Sequence, residues 1–287
     1  MKAFTISSTF NLCYRKAEEF VDYVRDGMAF YRAHGVEAAE LSTTALALSS
    51  DGWKKQVEEM ITVSEQEGIP FTSAHLPFVM GGGAMSAESM ALFDQKMHNA
   101  IDAAAQLGVG YAVLHPNSAT MLAKDFNRTE QYDLVMKHLA PYVEHANRVG
   151  LPIALENMRI KHDVRYVRRY CQNPDELCEV ADALGVGVCW DFGHANISGI
   201  KQSDGLAYVG KRLLALHVND NMGIDDDHML PFMGNVDWRD AMHGLVLADY
   251  HGIFNFEINV GRIPEALRAS FTGHLVKIAQ ELISYVV

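Results

Sequence analysis

Eight short runs rich in Val, Ile, Leu and Phe alternate along this chain with longer stretches of helical spacing, and that alternation leaves few folds open. The runs cover residues 2 to 8, 37 to 41, 70 to 75, 110 to 115, 151 to 156, 186 to 191, 213 to 218 and 253 to 258. Between them, segments such as AEEFVDYVRDGMAFYRAHG and YDLVMKHLAPYVEHANRVG set apolar residues three and four apart. Four such segments stop at Gly35, Gly68, Gly108 or Gly150, the residue type that most readily closes a helix. Each glycine leads into the next apolar run, so the cadence recurs at roughly 35 to 40 residues, as successive βα units require. A single (β/α)8 barrel domain over residues 1 to 287 accounts for all eight units. A doubly wound open sheet is the alternative, but it would bring ligands only to a switch point between strands.

The ends of the runs narrow the choice further. His75, His115, Glu156, Asp191, His217 and Glu257 each close or nearly close a run, and Glu40 is a seventh candidate. Groups of this kind are costly to bury unless they are paired or bound to a cation. A barrel would gather them onto the rim formed by the carboxyl ends of its strands, where barrel active sites lie.

Composition excludes several classes. The formal charge of -12 and pI near 5.5 disfavour a nucleic-acid partner, which calls for a basic surface or stripe. No run of about 18 apolar residues suggests a membrane span. The N-terminal stretch MKAFTISSTFNLCYRK lacks the apolar core of a signal peptide. Cys13, Cys171, Cys178 and Cys189 form no CxxC pair and read as reduced packing residues. A cytoplasmic protein is the expectation.

Each motif carries a structural reading beside the chemical one. FTSAHLPF and YAVLHPN put His75 and His115 at matching strand ends, where a lone histidine is often only a hydrogen-bonded rim residue. IALENM places Glu156 at the barrel mouth, with an ion pair to Arg159 or Lys161 as the competing role. VCWDFGHAN sets Asp191 and His194 three apart in a tight turn, with a helix N-cap as the alternative for Asp191. LALHVND supplies His217 and FNFEIN supplies Glu257. Together Glu156, Asp191, His217 and Glu257 make a set of three carboxylates and one imidazole, which suits Mn2+, Mg2+ or Co2+ better than a closed structural zinc site. Asp226 and His228, two apart in IDDDHMLPF, are either further ligands or part of a solvated acidic loop.

The ordered series HLPF, LHPN, LEN, WDFGHAN, LHVND, DDH and FEIN resembles the xylose isomerase-like barrel superfamily, which holds sugar phosphate isomerases and epimerases together with endonuclease IV. In the ketose 3-epimerase branch, the resemblance implies that Glu156, Asp191, His217 and Glu257 bind one divalent cation and that His194 contacts the sugar. In the endonuclease branch, it implies that these residues join His75, His115, His194, Asp226 and His228 to hold three zinc ions and cleave abasic DNA. An arginine that grips the ketose just after the strand-seven histidine in the epimerase branch has no counterpart between Asn219 and Asp227.

The expected chemistry is proton transfer beside a carbonyl, through an enediolate that a divalent cation stabilises as Lewis acid and template. Glu156 and Glu257, from strands five and eight, are the expected catalytic pair, one removing the proton and the other returning it. The substrate is a sugar or sugar phosphate. A trinuclear zinc phosphodiesterase, or a sugar or inositol dehydratase or lyase, is the alternative, and assembly into a homo-oligomer is left open. In the basic run RIKHDVRYVRR, Arg159 is a candidate for a substrate phosphate or carboxylate. Phe78 and Phe10 are candidates for stacking on a sugar face, and VMGGGAMSAES reads as a lid ending in the N-cap Ser86.

Overall fold

The computed structural model describes residues 4–10, 20–78, 86–116, 121–160, 167–260 and 263–286. Eight parallel strands run β1 Thr5–Thr9, β2 Ala38–Ser42, β3 Phe71–His75, β4 Tyr111–Leu114, β5 Ile153–Glu156, β6 Gly187–Asp191, β7 Leu213–Val218 and β8 Ile253–Phe256. Each pairs with its neighbours in chain order and β8 pairs back onto β1, which closes the (β/α)8 barrel that the sequence predicts. Around it lie α1 Phe20–His34, α2 Gly52–Glu67, α3 Ala87–Leu107, α4 Arg128–Val149, α5 Pro174–Leu184, α6 Phe192–Ile197, α7 Gln202–Val209, α8 Trp238–Leu247 and α9 Glu265–Ser284. A small antiparallel ribbon joins Met121–Leu122 to Val167–Arg168.

Successive strand residues face opposite sides, and that alternation sorts the chemistry. Outward positions such as Ala112, Leu114, Ile153, Leu155, Val188, Trp190, Leu216, Phe254 and Phe256 join the core between strands and helices. Inward positions low in the barrel, Tyr111, Val113, Ala154, Cys189 and Ala215, form a separate small apolar plug. Two residues further along the same faces stand His115, Glu156, Asp191 and His217. The ligand-type residues therefore share a face because each is two positions past a lumen-plugging residue. Small plug residues leave room for large polar groups above them.

Boundaries differ from the sequence reading in ways that matter. The first run starts at Thr5 and extends to Thr9, so Thr9 faces the lumen and Phe10 turns outward. Phe10 packs edge-on against Tyr23, Tyr31 and Phe71, which removes it from any sugar-stacking role. His115 and Glu257 lie one residue beyond their strands, in the loops of the mouth. Glu40 sits in the middle of β2, whose pairing with β3 shifts register between Ala39 and Glu40. It is not a rim carboxylate.

Helix ends follow the expected chemistry. Ser86 caps α3 by accepting a hydrogen bond from the Ser89 amide at 3.1 Å, while Gly68, Gly108 and Gly150 close α2, α3 and α4 in the left-handed conformation. The remainder of the expected lid, Val79 to Met85, lies outside the described residues, as does Lys161. Cys171, Cys178 and Cys189 are buried free thiols, and burial pushes the Cys178 thiol up to about 11. No helix among the described residues is long and apolar enough to cross a membrane.

Candidate active site at the barrel mouth

Nine titratable residues from six strands and their loops converge at the carboxyl ends of the strands. Donor atoms of Glu156, Asp191, His217 and Glu257 lie within 4.8 Å of one another, close enough to hold a single ion. Four further groups among the described residues meet the same spacing: His75 with His115 and Glu156, His194 with Asp226 and His228, His75 with His217 and Glu257, and Glu156 with Cys189 and His217. His75, Glu156, Asp191, His194 and His217 are buried, whereas His115, Asp226, His228 and Glu257 are partly open. The site is deep on the β5 to β7 side and opens past Glu257, Asp226 and His228.

The local chain explains how these groups are held. Asp191 ends β6 and caps α6, its Oδ1 accepting from the His194 amide at 2.6 Å, while its Oδ2 accepts from Asn219 Nδ2 at 2.6 Å. The N-cap role raised as an alternative to ligation leaves room for it: a syn or anti lone pair remains on each oxygen. Gly193 is required there, because a Cβ would stand 2.0 Å from Asn219 Oδ1. Asn157 braces the same turn. Its side chain donates to the Asp191 carbonyl at 3.0 Å and accepts from the Asp191 amide at 2.6 Å, and its carbonyl pairs with His194 Nδ1 at 2.8 Å.

His217 is fixed from below. Its Nε2 is 3.3 Å from Glu40 Oε1, and its Nδ1 faces Glu257 Oε2 at 3.1 Å and Glu156 Oε2 at 3.3 Å. His75 Nδ1 donates to the Leu76 carbonyl at 2.9 Å, and its Nε2 meets His115 Nε2 at 3.1 Å. His228 takes a left-handed backbone with φ 50°, a strained state for a residue with a side chain. Its Nδ1 donates to the Glu257 carbonyl at 2.8 Å, tying the long loop after β7 to the end of β8. That loop is organised by Asp220, which accepts from the amides of Asn221, Phe232 and Val236 and from Trp238 Nε1 at 2.9 to 3.1 Å.

Charge is crowded here, and the groups answer one another. Burial opposes ionisation of Glu156, but His217, His115 and His194 outweigh it and hold the carboxyl well below the usual range. Burial likewise opposes the Glu257 charge, yet His217 and His228 keep its pKa down at about 2. Asp191 goes the other way, pushed up chiefly by burial. Burial works against charged His194 and His217, but carboxylates around each raise both well above the ordinary imidazole value, and His228 rises to about 10 for the same reason. His115 is lowered, because there burial dominates.

Two buried atoms at the centre have no hydrogen-bond partner: Glu156 Oε2 and His217 Nδ1. Several imidazoles approach Glu156 Oε2 at 3.1 to 3.6 Å, but none with hydrogen-bond geometry. Unmade bonds on buried polar atoms are costly, so an unsatisfied pair facing each other marks a place shaped for a ligand.

A model of the xylose isomerase-like TIM barrel matches residues 28–277. The chain belongs to this family. Protein y4fM of Sinorhizobium fredii is similar to it at 30% identity over 170 residues, 58% of this chain and 52% of that protein, so the chain spans about half the length of that curated relative. Among solved structures, a D-tagatose 3-epimerase-like protein superposes with a TM-score of 0.73 at 21% identity, covering 98% of each chain. A D-allulose 3-epimerase from Methylomonas sp., solved with D-allulose, superposes with a TM-score of 0.72 at 16% identity, again over 98% of each. At such identities the likeness speaks for the fold.

Within this family barrel all nine predicted residues meet at one mouth. Arg159 is there too, but it pairs with Asp226 at 3.0 Å rather than with Glu156, which takes Arg159 out of the ion-pair reading of Glu156; Lys161, the other candidate, lies outside the described residues. Phe78 is 37% exposed, and its ring stacks on His115 with centroids 4.6 Å apart. Trp190 points outward and donates to Gln202 at 2.9 Å, so it braces α7. Sequence reasoning missed the supporting amides Asn157 and Asn219, although both stand in the quoted motifs LEN and HVND. It also missed the polar lumen residues Ser7, Thr9, Ser73 and Asn255. Ser73 and Asn255 each lie two residues before a predicted ligand, and counting back along the strand period would have found them.

Proposed function

We propose that this chain is a divalent-cation-dependent sugar or sugar phosphate epimerase or isomerase, moving a proton on the carbon beside a carbonyl. The observation that carries this reading is the cage of Glu156, Asp191, His217 and Glu257, with Glu156 Oε2 and His217 Nδ1 buried and unpartnered at its centre. Three carboxylates and one imidazole form a hard donor set suited to Mn2+, Mg2+ or Co2+, and such an ion would satisfy both orphaned atoms. When bound, it would supply Lewis-acid polarisation of a carbonyl and a template for the neighbouring hydroxyl.

The protein's own groups supply the rest. Glu257, held ionised by His217 and His228, is the base at the open side of the site. Glu156 lies across the lumen on β5, and its reach to a different face of a bound sugar lets it return the proton. Phe78 on His115 offers an apolar platform for a sugar face, and His194 and His75 present imidazoles for hydroxyl groups. The solved complex of a similar fold with D-allulose is in keeping with a substrate of this class.

A second reading has its own support. The groups His75, His115, Glu156 and His194, Asp226, His228 adjoin the cage and could seat two more ions, as a trinuclear zinc phosphodiesterase would require. Arg159 bound to Asp226 Oδ2 competes for one of those donors, and the charge of -12 opposes a DNA partner.

Metal-stripped protein incubated in D2O with a panel of ketoses and ketose phosphates, with and without Mn2+, tests the proposal by proton NMR. The expected result is Mn2+-dependent loss of the C-H signal beside the carbonyl. Absence of exchange across the panel, or uptake of three zinc ions with cleavage of an abasic duplex, would overturn it.

A further inference from the structure

Among the described residues, Glu40 is a buried carboxylate of the barrel lumen that the proposed chemistry leaves unused. It is 1% exposed and accepts four donors: Thr9 Oγ1 at 3.1 Å and Asn255 Nδ2 at 3.1 Å on Oε1, Ser73 Oγ at 2.9 Å on Oε2, and His217 Nε2 at 3.3 to 3.4 Å from both. Two of the four, Thr9 and Ser73, pair directly with Glu40 from the neighbouring strands, and the other two, Asn255 and His217, pair with each other on β8 and β7. Asn255 is itself held by Ser7 Oγ at 2.9 Å. The whole layer is rigid barrel, spanned by strand hydrogen bonds.

Both oxygens of Glu40 already accept from Thr9, Asn255 and Ser73, so at the contact with His217 it is the imidazole Nε2 that donates. That leaves Nδ1, the atom aimed at Glu156 and Glu257, as the nitrogen that would give up its proton and offer a lone pair when a cation enters between those carboxylates. The opposite tautomer would press a lone pair against two carboxylate oxygens. A histidine that binds an ion is commonly fixed this way, its second nitrogen held by a carboxylate that sets tautomer and ring orientation.

We propose that Glu40 is a positioning residue of the cage: it holds His217 in the Nε2-H form and fixes its ring so that Nδ1 faces the site. The inference rests on the cage reading above. It also explains why a carboxylate is buried in mid-strand below the mouth, where an apolar residue would cost less.

The test uses Glu40→Gln, which keeps the size and removes the acceptor-only character, and reads two things besides turnover. Calorimetric titration of Mn2+ into metal-stripped protein should show affinity falling about 10- to 100-fold, the usual consequence of losing such a partner. In the Mg2+-loaded, 15N-histidine-labelled protein, wild type should give a downfield His217 Nε2-H proton protected from solvent exchange, and the variant should lose that protection. If Glu40→Gln does not fold, Ser73→Ala, which removes one of the hydroxyls holding the carboxylate, should weaken Mn2+ binding severalfold and broaden the same proton. Unchanged Mn2+ affinity and an unchanged Nε2-H signal in a folded variant would overturn the role of Glu40 alone. A wild-type protein that takes up no divalent ion would overturn the cage and this role together.

Discussion

Two layers of the same barrel lumen meet at His217 and are built on opposite principles. In the lower layer, Ser7, Thr9, Glu40, Ser73 and Asn255 bond to one another, and the buried carboxylate is saturated with donors. In the upper layer, Glu156, Asp191, His217 and Glu257 crowd together with two central atoms unpartnered. Saturation costs nothing further and makes a rigid base; unsatisfied groups are kept only where a ligand completes them. His217 belongs to both, with Nε2 in the saturated layer and Nδ1 in the unsaturated one.

The contrast can be broken or sharpened by changing each layer in turn. The largest effect should come from Glu257→Gln in the upper layer. Proton exchange into a ketose substrate should fall by about 10^3-fold, within the usual range for loss of a general base, with little change in melting temperature because the side chain is 22% exposed. Exchange at the wild-type rate would remove Glu257 from the chemistry. Next comes Asn219→Ala, which deletes the donor to Asp191 Oδ2 but keeps the carboxylate; Mn2+ affinity measured by titration should drop about 10-fold or more. An unaltered affinity would mean that Asp191 needs no such support.

In the lower layer the balance should reverse. Ser73→Ala leaves the Glu40 carboxylate one donor short and should cost about 1 to 3 kcal/mol in a denaturant melt, far more than Glu257→Gln costs. Equal stability for the two variants would erase the distinction between the layers.

A smaller effect is expected outside the lumen, where imidazoles lack the carboxylate cage. Burial lowers His138 and His98 below the ordinary imidazole value of about 6.5, whereas carboxylates raise His194 and His217. A lowered folded-state pKa means that the unfolded chain binds more protons between that pKa and 6.5, so stability is full above 6.5 and is lost as pH falls through the folded value. Denaturant midpoints at pH 7.5 and 5.5 should differ less in His138→Gln than in wild type. An identical difference would contradict the assignment.

Much of this was legible in the sequence. Asp191, His217 and Glu156 could be read because each polar residue ends an apolar run, and strand polarity then puts all of them at one end of the barrel. Glu40 was legible as a candidate but not in depth, since the register shift beside Ala39 and the extension of β2 to Ser42 set it below the mouth. Phe10 lies just past β1, and nothing in the run of residues 2 to 8 signals that it packs on Tyr23, Tyr31 and Phe71 while Thr9 looks inward. The partnership of Arg159 with Asp226 joins two loops 67 positions apart, a pairing that no local pattern encodes.

The central claim, that a single ion sits in the upper layer on His217 Nδ1, is tested most directly by soaking crystals of the metal-stripped protein in MnCl2 and mapping anomalous scattering at the manganese edge. The account predicts one strong peak per chain, contacted by Glu156, Asp191, Glu257 and Nδ1 of His217, with Nε2 of His217 still on Glu40. No peak at the cage, several peaks of equal height spread over His75, His115, His194 and His228, or contact through Nε2 would contradict it.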